Sequence, residues 1–208
     1  MAVYLIADIR VINPPRYTEY RAVMRRAVFA HGGRYLARTD EVVVLEGNWA
    51  PPRLVIIEFP DRASASAFQA GEDFARARDV CANAAMVDMV LVEGAQPAPP
   101  SLPPGSEAYY VVSDIRVINE ERFAEYRRFA SAEVVKLGGR YLVRDGAFEV
   151  IAGCWEPHRL SIVEFPDQAS IDARLASDEY ERSRDLRINA AMVDRLLVKG
   201  WPQGAGLE

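Results

Sequence analysis

Over residues 4–12 apolar and polar side chains alternate, which is the period of a strand. Asn13 follows as a helix N-cap, with Pro14 at the first helical position. Tyr17, Tyr20, Met24, Ala27 and Val28 then form an apolar stripe of helical period. Gly32-Gly33 ends this helix through the left-handed conformation. Residues 34–38 and 42–45 read as the two arms of a hairpin, and residues 53–59 as a further strand ended by Pro60. Asp61 caps a helical region that runs to about Ala85 and breaks near Gly71, and residues 87–93 form the last strand. The order β-α-β-β-β-α-β extends a ferredoxin-like split βαβ unit by a hairpin.

The same pattern then returns. Tyr4-Leu-Ile-Ala-Asp8-Ile-Arg10-Val-Ile-Asn13 recurs as Tyr110-Val-Val-Ser-Asp114-Ile-Arg116-Val-Ile-Asn119. Gly32-Gly33-Arg34-Tyr35-Leu36 recurs as Gly138-Gly139-Arg140-Tyr141-Leu142, and Asn83-Ala-Ala-Met-Val-Asp88 as Asn189-Ala-Ala-Met-Val-Asp194. The offset is 106 residues throughout. Asn119 caps the second copy's first helix, and Asp145-Gly146 marks its hairpin turn. The expected organisation is therefore copy one over residues 1–94, a linker over 95–107, copy two over 108–200 and a tail over 201–208. Five prolines among residues 95–106 make the linker stiff and extended, long enough for the copies to meet face to face. The terminal Leu207-Glu208 is compatible with a cloning remnant.

Composition narrows the class. Of 208 residues, 50% are hydrophobic and 26% charged, which fits a globular chain and excludes disorder, collagen or low complexity. No apolar run approaches the roughly 18 residues of a membrane span. Asp8 and Arg10 interrupt the N-terminal apolar segment and no basic stretch precedes it, so it reads as a strand and not as a signal peptide. A net charge of −5 gives no electrostatic case for nucleic acid or an anionic membrane as partner. Cys81 and Cys154 fall at non-equivalent places in the two copies and make no disulfide framework. A cytoplasmic protein is expected.

The first strand has two unlike faces. Val3, Leu5, Ala7, Ile9 and Val11 are all apolar and should carry the helices. Tyr4, Ile6, Asp8, Arg10 and Ile12 are half apolar and half polar, as suits a sheet covered by a second sheet.

The tyrosine-rich first strand, the helix ending in Gly-Gly-Arg-Tyr-Leu, the run Gly47-Asn-Trp49-Ala-Pro51-Pro-Arg53-Leu, and Glu58-Phe59-Pro60 together resemble the domain of unknown function 1330 family. The resemblance covers residues 3–94 and 109–200. It implies an α+β fold: two tandem ferredoxin-like domains with antiparallel-rich sheets, stacked as a dimeric α/β-barrel. The fused chain would be a pseudo-dimer, unless each copy pairs with one from another chain to make a further homodimer. That superfamily includes antibiotic-biosynthesis monooxygenases and muconolactone isomerases. The resemblance thus implies a small-molecule-binding protein, with cofactor-independent oxygenation, isomerisation or cyclisation of an aromatic or polyketide-like compound as its possible chemistry. The contrasting reading is a non-catalytic metabolite-binding or oligomerisation module.

Three sets of residues carry candidate chemistry. Asp8, Arg10 and Glu58, with Asp114, Arg116 and Glu164, are expected to gather at the carboxyl ends of two parallel core strands. There they would bind a carboxylate or enolate and supply a general base, or else form a buried ion-pair network that fixes the packing. His31 at a helix end is an acid–base candidate or simply a cationic partner for the helix dipole; copy two has Leu137 there, which allows one active and one degenerate site. Tyr20, Arg34, Tyr35, Trp49 and Arg53, with Tyr126, Arg140, Tyr141, Trp155 and Arg159, suit a flat anionic ligand, and equally an interface or core. His158 aligns with Pro52, so the histidines make no repeated metal site, and no metal or cofactor is expected. Nucleotide-binding glycine motifs and a G-x-S-x-G elbow are absent.

Overall fold

The computed structural model describes residues 1–100, 102 and 107–202. Part of the linker (101 and 103–106) and the terminal Leu207-Glu208 lie outside the described residues. In copy one the elements are β1 (Val3–Val11), α1 (Pro14–Ala30), β2 (Arg34–Thr39), β3 (Val42–Glu46), β4 (Leu54–Phe59), α2 (Arg62–Ala70), α3 (Glu72–Cys81) and β5 (Ala85–Glu93). Copy two repeats them as β6 (Tyr109–Val117), α4 (Glu120–Lys136), β7 (Arg140–Arg144), β8 (Phe148–Ala152), β9 (Leu160–Phe165), α5 (Gln168–Leu175), α6 (Asp178–Arg187) and β10 (Ala191–Lys199).

The local signals act as read. Asn13 accepts from the Arg16 N–H and Asn119 from the Arg122 N–H, capping α1 and α4. Asp61 and Asp167 cap α2 and α5 in the same way. Gly32 takes a φ of +70° at the end of α1. Gly71 breaks the following helical region into α2 and α3. Tyr17, Tyr20, Met24, Ala27 and Val28 are all buried on α1.

Each sheet has five strands, in the orders β2-β4-β1-β5-β8 and β3-β10-β6-β9-β7. Here the expected hairpins fail. β2 pairs with β4, and β3 leaves its own copy to lie beside β10; β8 likewise lies beside β5. The link between β2 and β3 is Asp40-Glu41, which lacks the glycine a tight hairpin turn demands. In copy two Asp145 does adopt a φ of 59°, but the Ala147 carbonyl is taken by the Glu93 N–H at 2.9 Å, so the chain joins the edge of β5.

The compact units therefore differ from the repeats along the chain. Unit one comprises Met1–Val42, Pro51–Ala98 and Gly146–Glu156. Unit two comprises Val43–Ala50, Pro99–Asp145 and the described part of Pro157–Glu208. Each incoming strand is followed by a turn anchored on a carboxylate of the sheet it joins. Asp194 accepts from the Asn48 and Trp49 N–H groups at 2.6 and 3.0 Å, and Asp88 accepts from those of Cys154 and Trp155 at 2.6 and 2.9 Å. Gly47 (φ +83°) and Gly153 (φ +79°) press against these carboxylates so closely that a Cβ would lie 2.1 and 2.2 Å from an Oδ1 atom. Both faces of β1 are out of water: Leu5 and Ala7 pack in the helix-side core, and Tyr4 and Ile6 are buried as well. Among the described residues no helix is long and apolar enough to cross a membrane.

Candidate functional site

The first predicted constellation does not assemble. β1 and β4 run antiparallel, with Asp8 opposite Leu54 and Glu58 opposite Tyr4. Four residues at the strand rise put roughly 13 Å between Asp8 and Glu58 along the sheet. The expectation of parallel neighbours was the error, and copy two repeats the outcome, with Asp114 opposite Leu160 and Glu164 opposite Tyr110. Asp8 instead lies opposite Asp88, and Asp114 opposite Asp194. Asp114 accepts from the His158 and Arg159 N–H groups, at 2.8 and 3.3 Å. Arg10 and Arg116 are exposed.

Glu58 and Glu164 form separate clusters. The Tyr4 hydroxyl donates to Glu58 at 3.0 Å and Arg34 pairs with the same carboxylate; Tyr110 donates to Glu164 at 2.9 Å and Arg140 pairs with it. His31 places Nδ1 2.8 Å from the Ala27 carbonyl and turns its ring edge-on to Phe68. Trp49 and Trp155 donate their backbone N–H groups to the Asp194 and Asp88 carboxylates. Arg53 lies over Tyr17 and pairs with Asp40 at 3.0 Å, whereas Arg159 lies over Phe123. Among the described residues no group of three or more His, Cys, Asp or Glu could hold a metal ion.

The remaining predicted residues, Tyr20, Tyr35, Tyr126 and Tyr141, line the space between sheet and helices, and here the two copies part. In unit one a cavity of about 30 Å³ is walled by Ala7, Val55, Met89, Tyr20 and Tyr35 among others. In unit two the equivalent cavity, about 40 Å³, is walled by Ser113, Ser161, Arg195, Tyr126 and Tyr141. The 106-residue offset pairs Ala7 with Ser113, Val55 with Ser161 and Met89 with Arg195. Around them Ala27 becomes Glu133, Phe68 becomes Arg174, Phe74 becomes Tyr180, Ala77 becomes Ser183 and Cys81 becomes Arg187. The buried residues of copy one's helix-side core are apolar, and the arginines at its cavity, Arg21 and Arg38, are exposed or only half-buried; copy two holds a buried charged network.

The network is built as follows. Arg195, on β10, donates to the Tyr126 hydroxyl at 3.0 Å and to Ser113 Oγ at 3.1 Å. Arg174, on α5, reaches Glu133 at 3.5 Å and lies between the rings of Phe165 and Tyr180. Arg187, on α6, lies over Tyr126 and pairs at 2.5 Å with Glu46 of the incoming strand β3. All three arginines and Glu133 are buried. Three guanidiniums face two carboxylates, and the contacts of Arg195 are with neutral hydroxyls. The Nε atoms of Arg174 and Arg187 are buried with no hydrogen-bond partner among the described residues. Buried donors left unpaired are costly, so such atoms mark a place where a ligand oxygen or water would be stabilised.

The electrostatics follow. Burial pushes the Tyr20 phenol well above its ordinary value, and Tyr35 up to about 12. Burial opposes ionisation of Tyr126 too, but Arg195, Arg187 and Arg174 outweigh it and hold this phenol below 10.0. Despite its own burial Arg195 is held protonated by Tyr126, Tyr180 and, from β3, Glu46. Tyr126 is thereby easier to ionise than its equivalent Tyr20, and it stands beside a buried cation at a cavity wall.

The sequence reading named Tyr126 and Tyr141 but missed Arg174, Arg187, Arg195, Glu133, Ser113 and Ser161. The signal lay in the differences between the copies, at positions where one copy's apolar core residue becomes polar in the other. Identities between the repeats reveal the shared fold and pass over these positions.

Among curated proteins none matches this chain. Solved structures are similar over nearly its whole length. A monooxygenase-like protein from Fusobacterium nucleatum subsp. nucleatum is 12% identical, with a TM-score of 0.59, covering 97% of this chain and 93% of its own. A second such protein, from Lactobacillus acidophilus NCFM, is 10% identical with a TM-score of 0.53, covering 95% and 93%. An anthrone oxidase-like protein is 13% identical with a TM-score of 0.51, covering 99% and 97%. At these identities the likeness is one of fold. The sequence profile of the domain of unknown function 1330 matches residues 2–95 and 108–201, and the chain therefore belongs to the DUF1330 family, as two tandem copies of its domain.

Proposed function

We propose that the second copy binds a small organic anion between its sheet and helices and moves a proton on it without a cofactor. Arg195 and Arg174 hold the anion, and Tyr126 is the acid–base group. The observation that carries this is the contact of the buried Arg195 with Tyr126 at the cavity wall, where copy one has Met89 beside Tyr20. The chemistry is that of a ketone flanked by an acidic C–H. The Tyr126 phenolate takes the carbon-bound proton, the carbonyl oxygen gains the charge as an enolate, and Arg195 balances it. Return of the proton to a different carbon would isomerise the compound. The neighbours' names, monooxygenase-like and anthrone oxidase-like, fit chemistry that begins at such an enolate. A free volume of about 40 Å³ favours a compact anion over the aromatic or polyketide-like compound that the family resemblance implies.

The test uses pyruvate as a compact enolisable anion and salicylate as an aromatic one. Calorimetry reads binding, and proton NMR in deuterium oxide reads exchange of the pyruvate methyl hydrogens. The full-length protein should bind pyruvate more tightly than salicylate and accelerate its exchange. Tyr126→Phe should keep binding and lose exchange, and Arg195→Met should lose both. Binding without exchange would favour the non-catalytic metabolite-binding reading. Binding that is absent, or unaltered in Arg195→Met, would overturn the site.

A further inference from the structure

We infer that the two exchanged strands are not interchangeable: each is chemically matched to the sheet it joins, so that the copies of this chain complete each other and not themselves. This matching is independent of any ligand and follows from what each strand meets.

β3 brings Glu46 into unit two, where it pairs with Arg187 at 2.5 Å. The Arg187 side chain is only 6% exposed and that of Glu46 30%, so the cation is shielded from solvent and its carboxylate partner is partly exposed. The position equivalent to Glu46 on β8 is Ala152, which lies opposite Met89 in unit one, and the position equivalent to Arg187 is Cys81. Ala152 and Cys81 pack there against the apolar core. Where the receiving unit offers a buried cation, the incoming strand carries a carboxylate; where it offers a thiol and a thioether, the incoming strand carries a methyl.

The second position runs the other way. β8 brings Glu149 into unit one, where Arg62 donates to it at 2.7 Å and Gln69 at 3.1 Å. The equivalent of Glu149 on β3 is Val43, and unit two has Gln168 and Leu175 where unit one has Arg62 and Gln69. The carboxylate and its partners change together again.

Returning each strand to its own copy would undo both matches. Glu46 would meet Met89 and Cys81, and Arg187 would lie buried with an alanine for a partner. An uncompensated buried charge is strongly unfavourable, so the Glu46–Arg187 match carries most of the selection. The more exposed Glu149 cluster adds less, because solvent screens it.

The test uses thermal unfolding of the full chain and three variants. E46A strands Arg187, and E46A/A152E moves the carboxylate to the other strand without changing composition. E46A/R187C installs the pair that unit one already has. The expected result is that Tm falls by roughly 10 °C in the first two and returns to within about 3 °C of the parent in the third. The inference is overturned if E46A/A152E melts with the parent, or if E46A/R187C melts as low as E46A.

Discussion

Arg195 Nη2 donates to the Tyr126 hydroxyl at 3.0 Å, at the place where the first copy has Met89 and Tyr20. The two tyrosines stand on equivalent helices over equivalent strands, yet their phenols shift in opposite directions. Burial acts on both. Only Tyr126 has arginines near enough to reverse its effect.

The tyrosine titration should therefore split. A phenol held below its unfolded value of 10.0 adds stability that is complete above pH 10 and is lost as pH falls through its folded pKa. Tyr20 and Tyr35, pushed up by burial, behave oppositely: their contribution is complete below pH 10 and is lost as pH rises, toward about 12 for Tyr35. In an absorbance titration of tyrosinate, Tyr126→Phe should remove the step at lowest pH and Tyr20→Phe should not. A first step that survives Tyr126→Phe would contradict the assignment.

Rebuilding copy one's chemistry in copy two should separate stability from function. The pair Ser113→Ala and Arg195→Met restores the residues found at Ala7 and Met89. Replacing a desolvated cation by an apolar side chain of similar size is commonly neutral or stabilising, by roughly 1–4 kcal/mol. Urea unfolding should show the double variant at least as stable as the parent while anion binding is lost. A loss of several kcal/mol would instead make the arginine a structural element.

Glu133 is the counter-charge of Arg174 at 3.5 Å, with both side chains nearly out of solvent. Glu133→Ala should cost about 3–5 kcal/mol in urea unfolding, because Arg174 is left buried and unpaired. Adding Arg174→Phe recreates Ala27 and Phe68 and should recover most of that loss. If the two substitutions prove additive, the pair is not coupled.

The turn that delivers β3 has no room for a side chain. Gly47→Ala would force a Cβ toward Asp194 at a φ of +83° and should cost about 2–3 kcal/mol. Asp194→Ala removes the acceptor of the Asn48 and Trp49 N–H groups and should cost a similar amount. Hydrogen exchange should show β3 losing protection before the central strands β6 and β10 in both variants.

Arg10 and Arg116 were candidates for orienting an oxyanion, yet both are exposed. Methionine at either position should change stability by no more than about 0.5 kcal/mol and leave anion binding intact. A large effect on binding would return these arginines to the site.

The strand and helix periods, the Asn and Asp caps, the helix-ending glycines and the repeat itself were legible in the sequence, because each depends on residues close together in the chain. Tyr126 could be named because it belongs to a repeated aromatic pattern. Strand exchange was not legible. β3 has the same local character whether it folds back on β2 or crosses to β10, and only the free edge of a distant sheet decides between them. The Asp8–Glu58 pairing failed for the same reason, since strand direction belongs to the sheet and not to the strand. The arginine network depended on tertiary structure most of all. Arg174, Arg187 and Arg195 come from two helices and a strand, and each alone reads as an ordinary surface cation. Packing brings them around one tyrosine, and exclusion of water makes three common residues a candidate site.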